Sequence, residues 1–253
     1  MRMGFCASAL AVYVCAALTL PAAAKTDLSG LWLTPMGYGI PNADGTPFAG
    51  RPPVPVTMPP MLPWVKKIHD DEVRMMAEGE PDQLKFSGTA HRCLPFGTPS
   101  DMMQPYPLQI VQRDDAVLIV FEANHQFRVI PIGAAPPAKV APTYRGVSTG
   151  RWEGDVLVVE TSGFNDKTII MSAGAHEATR LSWFRHSDQL RVTERLSRSA
   201  DGNTLNYAVT IDDPGGFSAP WGFRETFALR NDLRLNEYVC AENNADAAAS
   251  ALH

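Results

Sequence analysis

From residue 106 onward, side-chain character repeats every second residue, and this period restricts the fold more than any other feature of the chain. A period of two marks a strand with one face turned to a core. Segments 117–122, 127–132, 156–161, 190–197, 205–211 and 221–229 carry it and are rich in β-branched and aromatic residues. The intervening stretches are turn chemistry: Arg113-Asp114-Asp115, Glu153-Gly154-Asp155, Asp201-Gly202-Asn203 and Asp213-Pro214-Gly215-Gly216. Many strands joined by short polar turns give an antiparallel sandwich or an up-and-down barrel.

One segment ahead of this region cannot sit in a central strand or form a helix. Residues 35–63 hold nine prolines, which remove ladder donors and break helices. They read as an extended arm wrapped on the domain. Pro63 suits a first helical turn. Trp64, Ile68 and Met75, with Val65 and Met76, then form an apolar stripe that predicts one helix over 63–78, either a docking helix or a lid over a barrel mouth.

The first 24 residues have the parts of a signal peptide: Arg2, an apolar run over 5–20, and Ala22-Ala23-Ala24 before Lys25. The alternative is a membrane anchor, for which the run is short against the roughly 20 apolar residues of a span. No later segment could cross a bilayer. Cleavage removes Cys6 and Cys15 and leaves Cys93 and Cys240 in a compartment that permits disulfides. The expectation is one disulfide between them; a catalytic thiol is the competing reading. The domain plan is a signal at 1–24, arm and helix at 25–80, a barrel-like core at 81–244 that forms one domain with the arm, and a flexible tail at 245–253. The net charge of −5, without any lysine or arginine block, argues against a nucleic-acid partner. The destination is the periplasm or the exterior, and the oligomeric state is not legible.

Gly30-Leu31-Trp32, after Asp27-Leu28-Ser29, resembles the G-x-W opening of lipocalin-type barrels. That resemblance implies a Trp plugging the closed end, with a basic side chain from a late strand on its face. Gly150-Arg151-Trp152 repeats the pattern. A wider set of motifs includes Cys93-Leu94-Pro95-x-Gly97-x-Pro99, then Gly150-Arg151-Trp152-Glu153-Gly154-Asp155 with Leu157-Val158-Val159-Glu160-Thr161, and finally Glu237-Tyr238-x-Cys240-x-Glu242-Asn243-Asn244. Together they resemble a family of exported bacterial proteins that carries no assigned activity. The resemblance implies one domain and paired cysteines, and transfers no catalytic residue. The stretch before His186 is longer than in that family, which marks it as a specificity element. The expected fold is all-β: an antiparallel lipocalin-like barrel with a Pro-rich N-terminal arm and one helix.

Polar residues on apolar strand faces are the candidates for chemistry. Glu194 shares a face with Leu190, Val192 and Leu196, and Glu225 sits among Trp221, Phe223, Phe227 and Leu229. Glu122 ends the Leu118–Val120 face and Glu160 the Val156–Val158 face, while Arg128 shares a face with Ile130 and Ile132. A desolvated carboxylate with a raised pKa suits acid–base work; a buried Glu–Arg pair is equally a structural device. The candidate catalytic set is Glu194, Glu122 and Glu160, with His125 and His186 at the pocket rim. Arg128, Trp152, Tyr207, Trp221 and Phe223 form the candidate ligand-binding set. No metal spacing, nucleophile elbow, P-loop or dinucleotide fingerprint is present, so neither metal nor cofactor is expected.

The resulting readings are a periplasmic barrel binding a small hydrophobic or aromatic molecule, a cofactor-independent lyase, isomerase or hydratase acting on such a molecule through Glu, His and Arg, and a structural exported protein. They part on one question: whether polar groups converge on a cavity or are spent holding the barrel together.

Overall fold

The computed structural model describes residues 26–34, 57–78, 93–135, 137, 139–171 and 183–240. Residues 1–24, expected to be a signal peptide, most of the proline-rich arm, residues 172–182 ahead of His186 and residues 245–253, expected to be a tail, lie outside the described residues.

Nine strands make one sheet. They are β1 (Gly30–Leu33), β2 (Leu108–Gln112), β3 (Ala116–Phe121), β4 (Gln126–Pro131), β5 (Val147–Glu153), β6 (Val156–Ser162), β9 (Arg191–Arg198), β10 (Thr204–Asp212) and β11 (Trp221–Leu229). A two-stranded ribbon, β7 (Ile169–Met171) with β8 (Trp183–Arg185), stands beside it. The sheet order is β4-β3-β2-β1-β11-β10-β9-β6-β5, with every neighbouring pair antiparallel. The result is the expected all-β barrel, nearly closed, with a single α-helix among the described residues.

The strand count dictates how the barrel closes. In an odd set of alternating strands the first and last run the same way, so β4 and β5 can meet only in parallel. They do, at the bridge between Ile132 and Gly150 and through Gly133 N–H donating to Gly150 O at 2.8 Å. Gly150 makes this approach possible: a Cβ there would stand 2.9 Å from both Ile130 and Ile132 side chains. The glycine of the second G-x-W motif is thus a seam residue, inside β5 rather than ahead of a strand.

The first G-x-W motif buries its tryptophan beside a basic side chain from a late strand. Trp32 is fully buried, its indole N–H donates to Leu28 O at 3.0 Å, and the Arg198 guanidinium of β9 lies 5.3 Å from its ring centre. Arg198 also donates to the carbonyls of Asp27 and Gly202, at 2.9 and 2.7 Å. Trp32 shares one core with residues such as Ile110, Ile119, Leu157, Leu196, Val209 and Phe227.

Helix α1 (Pro63–Ala77) lies where the pattern placed it. Its inward face, however, is Val65, His69 and Glu72, while Trp64, Ile68 and Met75 turn away from the core to line a groove. The arm reaches the helix by pairing Met61 with Phe217 and by Leu62 N–H donating to Gly216 O at 2.9 Å. Cys93 and Cys240 are bonded, with their Cα atoms 5.6 Å apart. Closing 147 residues stabilises the fold by roughly 5 kcal/mol in the chain-entropy model. No helix among the described residues is long and apolar enough to cross a membrane.

Candidate functional site

Two groups of polar side chains emerge, one inside the barrel and one outside it. The inner group is built on Arg128, which β4 points inward beside Ile130. Its Nη1 and Nη2 reach Glu194 Oε1 and Oε2 at 3.0 and 2.5 Å, its Nε donates to Ser148 Oγ at 2.9 Å, and Nη2 also donates to Thr161 Oγ1 at 2.7 Å. Tyr207 donates its hydroxyl to Glu194 Oε1 at 2.7 Å. Burial, with the Glu194 carboxylate alongside, holds that phenol well above its usual range, so it stays protonated and donates. Glu194 is 1% exposed and both its oxygens are engaged. A carboxylate so held is saturated, an arrangement that suits scaffolding better than proton transfer to a substrate.

A second buried pair adjoins this cluster. Asp101 sits in a 3-10 turn (Ser100–Met103) and faces Arg145, whose Nη2 donates to Oδ1 at 3.1 Å while Nε stands 2.9 Å from Oδ2 off the hydrogen-bonding direction. Burial pushes the Asp101 carboxyl up to about 6, although Arg145 pulls the other way.

Three of the sequence-designated aromatics fall into one chain. From under the helix it runs His69 to Phe184 at 5.1 Å, Phe184 to Trp221 at 5.4 Å, Trp221 to Phe223 at 6.4 Å and Phe223 to Tyr207 at 6.5 Å, ending on Glu194. Trp152 stands apart, half-buried against the core near the β5–β6 turn.

Glu122, Arg128, Glu160 and Glu194, expected from the strand faces to meet in one pocket, do not all converge. Glu160 points outward, half-exposed, and pairs with Arg151 at 2.9 Å. The inward face of β6 is Leu157, Val159 and Thr161, the opposite of the one expected. Glu122 is buried, but as an anchor: its Oε2 accepts from Asn236 N–H at 2.8 Å. His125 is exposed and accepts from Tyr238 N–H at 2.9 Å through Nε2. Both hold the C-terminal segment against the β3–β4 connection.

His186 belongs to the outer group. It is buried, with Nδ1 donating to Ser187 O at 2.9 Å, which leaves Nε2 to accept from the Thr168 hydroxyl at 2.7 Å. Burial lowers its pKa, and the ring is neutral. Ser187 hydrogen-bonds Asp213 through both its N–H, at 2.8 Å, and its hydroxyl, so Asp213 orders the turn rather than His186. His186 and Ser187 form part of one side of a groove of about 640 Å³ between α1 and the β8 end of the ribbon. Trp64, Ile68 and Met75 give the helix side its apolar surface; Asp166, Arg185 and Asp188 stand among the other lining residues. Trp64 is 40% exposed, yet its ring is fixed by the indole N–H donating to Gly215 O at 2.8 Å. Glu72 locks the helix in place by accepting from Arg185 at 2.8 and 3.2 Å and from Trp183 at 3.2 Å.

None of these groove residues except His186 stood in the site expected from sequence. The signal was present in the 64, 68, 75 spacing, which marks an apolar helix stripe without saying whether the core or an open groove receives it. Comparison with protein-family models, with curated proteins and with solved structures gives no match for this chain.

Proposed function

We propose that this chain is an exported binding protein that holds a small molecule with an aromatic or hydrophobic body in the groove between α1 and β8. The observation that carries the reading is Trp64: a large, exposed aromatic ring held rigid at the edge of a groove it shares with Ile68 and Met75. A volume of about 640 Å³ falls inside the range of roughly 300–1,000 Å³ typical of small-molecule sites. Rigid aromatic surface binds without the entropy loss of ordering a free side chain. The disulfide is consistent with an oxidising compartment. Binding is favoured over acid–base catalysis because the interior carboxylate best placed for chemistry, Glu194, has its oxygens committed to Arg128 and Tyr207.

The test is titration with N-phenyl-1-naphthylamine, an uncharged aromatic dye. Saturable binding with a blue shift is expected, weakened about tenfold in Trp64→Ala, the loss of one well-packed aromatic contact. Unsaturable binding, or binding indifferent to Trp64→Ala and Met75→Ala, would overturn the groove as the site.

A further inference from the structure

We propose that the ligand of this groove is a small organic cation, an ammonium with an aromatic or aliphatic body; the inference rests on the groove reading above. The charges along the groove do not balance. Arg185 is committed to Glu72 through two contacts, and Asp71 is held by Lys67 at 2.7 Å and Arg74 at 3.4 Å. Two carboxylates remain. Asp166 and Asp188 are exposed, line the groove, and make no ion pair among the described residues. His186, on the same lining, is neutral and occupied on both ring nitrogens and adds no positive charge.

A ligand in this groove therefore meets an apolar stripe on the helix and two unbalanced negative charges among the remaining lining. An anion would be repelled by that pair, and a neutral body would gain nothing from it. A cation gains from both carboxylates and from the face of the Trp64 indole, the aromatic ring that attracts cations most strongly. A metal ion is the weaker occupant: among the described residues no three acidic, histidine or cysteine side chains gather to hold one, and the apolar stripe would go unused. The overall charge of −5 also favours the approach of cations.

The experiment compares three ligands of one shape on the disulfide-bonded chain by calorimetry: phenyltrimethylammonium, its uncharged isostere tert-butylbenzene, and benzenesulfonate. The cation should bind about five- to tenfold more tightly than the isostere at low ionic strength, and benzenesulfonate more weakly than either. The Asp166→Asn, Asp188→Asn double variant should erase the preference for the cation and leave the isostere's affinity unchanged. Both positions are exposed, so folding is not at stake. If tert-butylbenzene binds as well as the cation, or the double variant keeps the preference, the charge inference is overturned while the groove reading stands. If none of the three binds, and the neutral dye also fails, both are overturned together.

Discussion

Arg128 and Glu194, 66 residues apart, meet inside the barrel as a bidentate ion pair at 3.0 and 2.5 Å. Their positions explain why the pair exists. Arg128 is on β4, at one side of the seam; Ser148, Thr161 and Glu194 are on β5, β6 and β9, the successive strands across it. The parallel meeting of β4 and β5 supplies little backbone hydrogen bonding, and this one guanidinium ties four strands together with side chains. Glu194→Gln leaves a buried guanidinium without its counter-charge and should lower unfolding free energy by about 3–5 kcal/mol. Arg128→Met with Glu194→Leu should lose less than the two single changes added together, since it removes both charges. Urea unfolding of the five proteins (wild type, Glu194→Gln, Arg128→Met, Glu194→Leu and the double variant) measures this; a Glu194→Gln loss below about 1 kcal/mol would mean the seam is not held this way.

Trp32 and Arg198 are held together independently of that pair. Arg198 contributes its cation to the Trp32 face and two charged hydrogen bonds to loop carbonyls. Arg198→Met keeps the aliphatic stem and loses all three, which should cost about 2 kcal/mol and alter the emission of the buried tryptophan. Arg198→Lys should recover part of the stability. Equal melting of all three proteins would show that Trp32 is held by packing alone.

The strands whose inward face could be read from sequence are those with real alternation. In β9, Arg-Val-Thr-Glu-Arg-Leu places Val192, Glu194 and Leu196 inside, and β10 and β11 follow the same rule. In β3 and β6 the runs Ala116–Phe121 and 156–159 are apolar on both faces, so period two selects neither. There the chain puts Val117, Ile119 and Phe121 inside, and Leu157 with Val159, which sends Glu160 to the surface. The two-sided apolar character has a visible trace on the outer wall, where Phe127 and Val129 of β4 stay 63% and 50% exposed. Strands β7 and β8, of three residues each, are too short to show any period. The groove was illegible for another reason: it depends on where β8 meets α1, a contact between residues more than 100 positions apart.

Asp101 gives the fold a pH dependence of defined sign. Its carboxyl is raised from 3.8 to about 6 in the folded protein by burial. Between those values the folded state holds a proton the unfolded state has released, so stability falls as pH rises from about 4 to 6 and levels off above. The contribution is complete below the unfolded value and lost through the folded one, on the order of 2–3 kcal/mol across the window. Asp101→Asn removes the group, so the stability difference between wild type and variant should drift by that amount over the same range in urea unfolding. A difference that stays constant from pH 4 to 7 would show that Asp101 titrates at its ordinary value.

Helix α1 owes its position to few contacts, and Glu72 is the decisive one. Val65 is inserted in the core, His69 stacks on Phe184, and Glu72 receives Arg185 and Trp183 at the far side. The exposed pairs along the helix, Lys66 with Asp70 and Lys67 with Asp71, are i,i+4 contacts worth only about 0.3–0.5 kcal/mol each. Fifteen residues form a marginal helix without tertiary support. Glu72→Ala breaks a pair whose carboxylate side chain is 5% exposed and should free the helix locally before it affects the barrel. Amide exchange of residues 66–77 should accelerate at least about tenfold, while β9, β10 and β11 exchange as before. The uncharged dye should lose affinity in the same variant, because Trp64, Ile68 and Met75 reach the groove only from a docked helix. If helix and strands accelerate together, α1 is an integral part of the barrel's cooperative unit and not a separately docked wall of the site.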